Sequence, residues 1–217
     1  MPGGSVASIL DLSSVGGVMP YSDSIYDRLV CGVVKELRPQ RVLDVGVGAG
    51  KYSGLVRGMC DAHLTGIEVH WPYLEQFNLA DLYDEMWAFD VMDLVEYRRA
   101  ISFDLVILGD VLEHLRRSDG MDLLDYFFYR SKHVIVVYPD LYVQEGDPWG
   151  NSFEAHISLW TPADFERFHP VIRSNGVMSF VMFDGLIEHE ARTRDLSALT
   201  KGSSVTPSLP WSSSELS

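Results

Sequence analysis

The stretch "RVLDVGVGAGKYSGLV" (41–56) constrains this chain more than any other. An apolar, β-branched run reads as a buried strand, and it passes at once into glycines at positions 46, 48 and 50. A strand, a tight glycine turn and an apolar helical pattern form the first half of a β/α unit. Such a turn bares its backbone to whatever sits at the end of the strand.

The rest of the chain repeats the alternation. "YSDSIYDRLVCGVVKEL" (21–37) reads as a helix with Ile25, Leu29 and Val33 on one face. "YSGLVRGMC" (52–60) predicts a helix, "LTGIEV" (64–69) a second strand, and "PYLEQFNLADLYDE" (72–85) a helix opened by its proline. "MWAFDV" (86–91) is a weaker strand. "FDLVILG" (103–109) is continuously apolar, as expected for a strand covered on both faces. "VLEHLRR" and "MDLLDYFFYRSK" predict helices, and "HVIVVYP" (133–139) a fifth strand. "TPADFERF" carries Thr161 as cap, Pro162 in the first turn and Asp164 three residues after the cap. "VMSFVMF" and "LIEHEAR" flank Asp184-Gly185, which predicts a hairpin there. Five β/α units with a terminal hairpin indicate an α/β sandwich around a mainly parallel sheet.

Residues 1–18 and 196–217 look loose, the latter a Ser-rich tail, leaving a single domain over 19–195. Two cysteines, Cys31 and Cys60, make neither a disulfide framework nor a zinc site and suggest a reducing, cytoplasmic setting. Neither a signal peptide nor a membrane span is expected. The net charge is −14, and residues 71–125 hold thirteen Asp or Glu against four Arg. That balance disfavours a phosphate backbone as partner and suits a neutral or cationic one.

The glycine turn itself rejects two phosphate ligands. A dinucleotide fold places a glycine where this chain has Lys51, and a phosphate-binding P-loop needs one where it has Val45. The pattern D-x-G-x-G-x-G at 44–50 instead resembles motif I of the class I S-adenosylmethionine-dependent methyltransferases. Glu68 at the end of the second strand, "FDV" (89–91) after the third, and "FDLVILGDVLEHL" (103–115) resemble the ubiquinone-biosynthesis-like branch of that family. "DVGVGAGKYSG", "GIEVHWPY" and "GNSFEAHISLWTPADF" are similar to stretches of a group of small methyltransferase-domain proteins.

The resemblance implies a Rossmann-like seven-stranded sheet of order 3-2-1-4-5-7-6 with helices on both faces. It also implies S-adenosylmethionine as cofactor, with S-adenosylhomocysteine as product. Asp44, Gly46, Gly48 and Gly50 would lie along the methionine portion, Glu68 with Val69 at the ribose, Asp90 and Val91 at the adenine, and Gly109 near the methyl group.

Methyl transfer to oxygen needs a proton acceptor, and histidine suits that role. Asp110 and His114 are spaced to share a face, and His156 follows Glu154 in the long segment 139–160. Those three, His156 first, are the expected catalytic residues. Tyr142, Trp149, Glu154 and Trp160 are the expected contacts to a small-molecule acceptor, and Tyr21 and Tyr26 are candidates to cover the cofactor. No metal is expected, since the Asp and Asn ligands of catechol-type members cannot be assembled. The Asn/Asp-Pro-Pro-aromatic stretch of DNA amino-methylating members is replaced by "GDVL". A cofactor-binding regulatory module without turnover is the rival reading, and neither acceptor nor oligomeric state is legible.

Overall fold

The computed structural model describes residues 23–141, 144 and 150–187. The expected loose termini lie outside them. Seven strands form one sheet: β1 (Arg41–Val45), β2 (His63–Ile67), β3 (Glu85–Trp87), β4 (Phe103–Gly109), β5 (Ser131–Pro139), β6 (Val171–Ser174) and β7 (Met178–Asp184). Their order is β3-β2-β1-β4-β5-β7-β6, as the resemblance implied. The first five pair in parallel, while β7 runs antiparallel to both β5 and β6.

Strand alternation separates two cores. Leu43, Val45, Val106, Leu108, Val134 and Val136 point to one face, where α5 (Arg117–Phe128) delivers Leu123, Leu124 and Phe127. Val42, Leu105, Ile107, Ile135 and Val137 point to the other, against Val30 and Val34 of α1 (Asp27–Leu37) and Val56 of α2 (Lys51–Arg57). Burial on both faces explains the unbroken apolar runs of β4 and β5.

Several local expectations are corrected. The first helix starts at Asp27, so Ile25 precedes it and stays exposed, as does Leu29; the buried stripe runs through Val30 and Val34. The expected helix over 72–85 breaks at Asn78, whose φ of 49° is left-handed. It leaves α3 (Pro72–Gln76) and a 3-10 turn, Leu79–Asp81. A helix the periodicity did not reveal, α4 (Met92–Glu96), follows β3. "VLEHLRR" yields the 3-10 turn Leu112–His114 and, at Arg117, the first residue of α5. Pro162–Phe168 is 3-10 too, opened by the expected cap: the Asp164 carboxylate accepts the Thr161 N–H at 2.8 Å.

The terminal hairpin is displaced. Its turn is Asn175–Val177, with Gly176 at φ 83°, and it joins β6 to β7. Gly185 instead donates its N–H to Lys132 O at 2.7 Å and Leu186 to Phe128 O at 2.8 Å, steering the chain along the base of β5. Most of "LIEHEAR" lies outside the described residues. No helix among the described residues is long and apolar enough to cross a membrane.

Candidate functional site

The strand order reverses between β1 and β4, and the helices that follow them pack on opposite faces of the sheet. This opens a crevice at their carboxyl ends, the usual ligand site of an open α/β sheet. A cleft of about 380 Å³ occupies that place, within the size range of small-ligand sites.

Its floor is the glycine turn. Gly46 and Val47 donate their N–H groups to Ile67 O at 2.9 and 3.2 Å, tying the turn across to the end of β2. Gly46 and Gly48 hold φ of 66° and 50°, which L side chains rarely adopt. A Cβ on Gly46 would also lie 2.8 Å from the Val111 side chain. Glu68 closes one side. Its carboxylate accepts Gly48 N–H at 3.0 Å and His70 N–H at 2.8 Å. Burial pushes its pKa up, opposed by these N–H donors.

Val69, Asp90 and Val91 continue that wall, and the Asp90 carboxylate accepts Met92 N–H at 2.9 Å to open α4. Gly109 sits opposite, so close to Tyr52 that a Cβ would fall 2.1 Å from the ring. Asp110, next to it, has a left-handed φ of 54° and donates its N–H to Val137 O at 2.8 Å.

The far end is built by two clamped segments. The Glu113 carbonyl accepts the N–H groups of Ile157 and Ser158 at 2.8 and 3.1 Å, and the Ser158 hydroxyl donates to Leu112 O at 3.0 Å. His114 Nδ1 lies 3.2 Å from Ala155 O. A carbonyl only accepts, so Nδ1 carries the proton and Nε2 keeps its lone pair. The His156 ring meets the His114 ring edge-on, centroids 4.9 Å apart. Burial lowers the His114 pKa to about 4, and raises that of the fully buried Glu113, with Asp110 adding to the rise.

Glu154 borders the same end. Its carboxylate accepts from Tyr73 Oη at 3.2 Å and Asn151 Nδ2 at 3.3 Å, and burial raises its pKa. The expected His156, His114, Asp110 and Glu154 are therefore brought together.

Other expected residues are not on the cleft wall. Asp44 lies beneath it, wholly buried, its Oδ2 accepting Tyr83 Oη at 2.5 Å. Gly50 faces away, where a Cβ would meet Leu82 and Leu79. Trp160, expected at the acceptor, is 2% exposed. It packs on Phe165 and against the backbone of Gly120, with its indole N–H donated to the Ser158 hydroxyl at 2.9 Å. It holds the loop to the core and touches no cleft space. The Tyr26 hydroxyl lies 3.0 Å from the carbonyls of both Arg173 and Met178, and its ring is not on the cleft wall. Tyr21, Tyr142 and Trp149 lie outside the described residues.

Sequence reasoning passed over Glu113, Asn151 and Tyr73. All three stood in quoted motifs, "DVLEHL", "GNSFEAH" and "GIEVHWPY", but nothing local marks them as cleft residues.

The lining is acidic: Asp23, Glu68, Asp90, Asp110, Glu113 and Glu154. Lys51 in the same lining is held by the Asp27 carboxylate at 2.6 Å and by Asp23 O at 2.5 Å. Such a cleft repels a pyrophosphate and attracts a sulfonium cation. Bare backbone at Gly46–Gly48 and a carboxylate at the β2 end fit S-adenosylmethionine.

Residues 43–126 match the family profile described as "Methyltransferase domain". Over that span the chain matches a methyltransferase domain, and its sheet order and switch-point cleft are those of the class I S-adenosylmethionine-dependent methyltransferase fold. Among curated proteins the chain is similar to the tRNA U34 carboxymethyltransferase of Pseudomonas aeruginosa, 28% identical over 145 residues. That alignment covers 58% of this chain and 44% of the relative, so the chain spans less than half the length of the curated relatives it matches. Among solved structures it resembles an O-methyltransferase family protein from Burkholderia thailandensis. There the TM-score is 0.54 and the identity 14%, over 74% of this chain and 57% of the other. It also resembles the N-terminal domain of EvdMO1, crystallised with S-adenosylhomocysteine and D-fucose. That match has a TM-score of 0.53 and 15% identity, over 76% of this chain and 84% of the other.

Proposed function

We propose that this chain transfers the methyl group of S-adenosylmethionine to an oxygen of a small molecule. The observation that carries this reading is the acidic cleft ending in the His114–His156 pair. The cofactor supplies a methyl carbon already activated by its positive sulfur.

The chain's residues do the rest. Glu68 accepts the ribose hydroxyls, with Val69 beside it. Asp90 and Val91 meet the adenine, and the Gly46–Gly48 backbone follows the methionine portion. Gly109 and Asp110 stand next to the methyl. The acceptor lies between Glu154 and the histidine pair, where its hydroxyl gives its proton to His156 as the oxygen bonds to the methyl carbon and the carbon–sulfur bond breaks, leaving S-adenosylhomocysteine. Holding the two reactants in line supplies much of the rate.

A second reading has one observation in its favour. The tRNA-directed name of the Pseudomonas relative suggests a nucleic-acid acceptor. The acidity of the cleft and of residues 71–125 opposes it, because a phosphate backbone is bound by positive surfaces.

Incubation with methyl-labelled S-adenosylmethionine and separate small-molecule and RNA extracts decides between them. Label in a low-molecular-weight product supports the proposal. Label confined to RNA, or cofactor bound without any S-adenosylhomocysteine formed, overturns it.

A further inference from the structure

We propose that Glu113, His114 and His156 form a binding site for one divalent transition-metal ion at the far end of the cleft. Their ligand atoms all lie within 4.8 Å of one another. Around an ion with bonds of about 2.1 Å, ligand atoms stand roughly 3–3.5 Å apart, a closure that side-chain rotation supplies.

The independent observation is the state of Glu113. It is 2% exposed, and neither carboxylate oxygen has a hydrogen-bond partner among the described residues. Buried polar groups are almost always paired, and a carboxylate left otherwise is strongly disfavoured. A cation shared with two imidazoles resolves that conflict.

The surroundings are those of a built site. Ala155 O accepts the His114 Nδ1–H, which sets the ring's orientation and leaves Nε2 as the ligand atom. Metal-binding histidines are commonly oriented in this way. The backbone bonds from Ile157 and Ser158 to Glu113 hold the two ligand-bearing segments in register. Asp110 and Glu154 border the same end and add negative charge. Two imidazoles and one carboxylate suit a first-row ion such as Zn²⁺ or Co²⁺ and leave coordination positions open.

That assignment reverses the sequence expectation of no metal, and it changes the part the histidines play. A Lewis acid here draws electron density from an acceptor oxygen so that its proton leaves to water. His114 and His156 are then ligands, not bases. This use of the ion rests on the proposed methyl transfer; its binding does not.

The test uses the full chain, any purification tag removed, stripped of metal and then titrated with Zn²⁺ and separately with Co²⁺. Wild type should keep about one equivalent after desalting, and Co²⁺ should show a ligand-field spectrum of a nitrogen- and oxygen-bound ion. Glu113→Gln and His156→Ala should each weaken Zn²⁺ binding at least about tenfold, as His133→Ala, on the opposite end of β5, should not. Should Glu113→Gln fail to fold, His156→Ala carries the decision, its folding checked by circular dichroism. Wild type that leaves the column without metal, or variants that bind as wild type does, overturn the proposal. Metal bound at one equivalent with no methyl transfer to any acceptor leaves the site standing and removes the proposed function instead.

Discussion

Replacing Asp44 by asparagine isolates the energetic consequence of burying a carboxylate beneath the cleft. Burial raises the Asp44 pKa from 3.8 to about 7, Glu68 adding to the rise while the Tyr83 hydroxyl opposes it. Between those two values the folded state keeps a proton that the unfolded chain releases. Stability from this group is therefore whole below about pH 4, falls as pH rises and levels off above pH 7. At about 1.4 kcal/mol per pH unit the loss is about 4 kcal/mol, of which about 3 kcal/mol falls between pH 5 and 8. His114 hides it in the wild type. Its pKa of about 4 against 6.5 makes stability rise with pH across nearly the same window. The assay is urea unfolding of wild type and Asp44→Asn at pH 5 and pH 8 without cofactor. The amide introduced by Asp44→Asn can still accept the Tyr83 hydroxyl, so the variant should gain on the wild type by roughly 2–3 kcal/mol between the two pH values. A difference that stays constant with pH would refute the argument, since it would mean that Asp44 is ionised throughout.

Three further outcomes are expected. Glu68→Ala should weaken S-adenosylmethionine binding by roughly 1.5–3 kcal/mol in calorimetry, the loss of charge-assisted hydrogen bonds; unchanged affinity would remove the ribose role. Gly109→Ala drives a methyl group into the Tyr52 ring and should destabilise by about 1–3 kcal/mol, read as a lowered unfolding midpoint. Trp160→Ala should destabilise by about 3–5 kcal/mol, while Trp160→Phe should leave acceptor KM unchanged if the ring is core and not a substrate contact.

Much of the scaffold was legible because its signals are local. β1 and β4 were legible because a strand covered on both faces is apolar over most of its length, here with Arg41, Asp44 and Asp104 as the exceptions. The cap at Thr161 and the glycine turn are likewise local chemistry. What periodicity missed was short or dependent on partners: five-residue α4 has too few turns for a pattern, and the α1 face shifted by one residue with its start. The displaced hairpin shows the same limit. Asp184-Gly185 and Asn175-Gly176 are both turn-forming pairs, and only the pairing of β7 with β5 and β6 selects the second.

The sequence by itself determined the class of sheet, the glycine turn at the end of β1, and the acidity that disfavours a phosphate backbone as partner. These follow from residue types at short spacings and from summed charge. Only the tertiary structure decided that Trp160 is core, that Asp44 lies below the cleft, and that Glu113, His114 and His156 converge. The last of these residues is over forty positions from the other two, joined to them by backbone hydrogen bonds to Glu113 and a ring bond to Ala155. No spacing along a chain encodes a contact of that kind; it exists once the sheet has set β4 and β5 side by side.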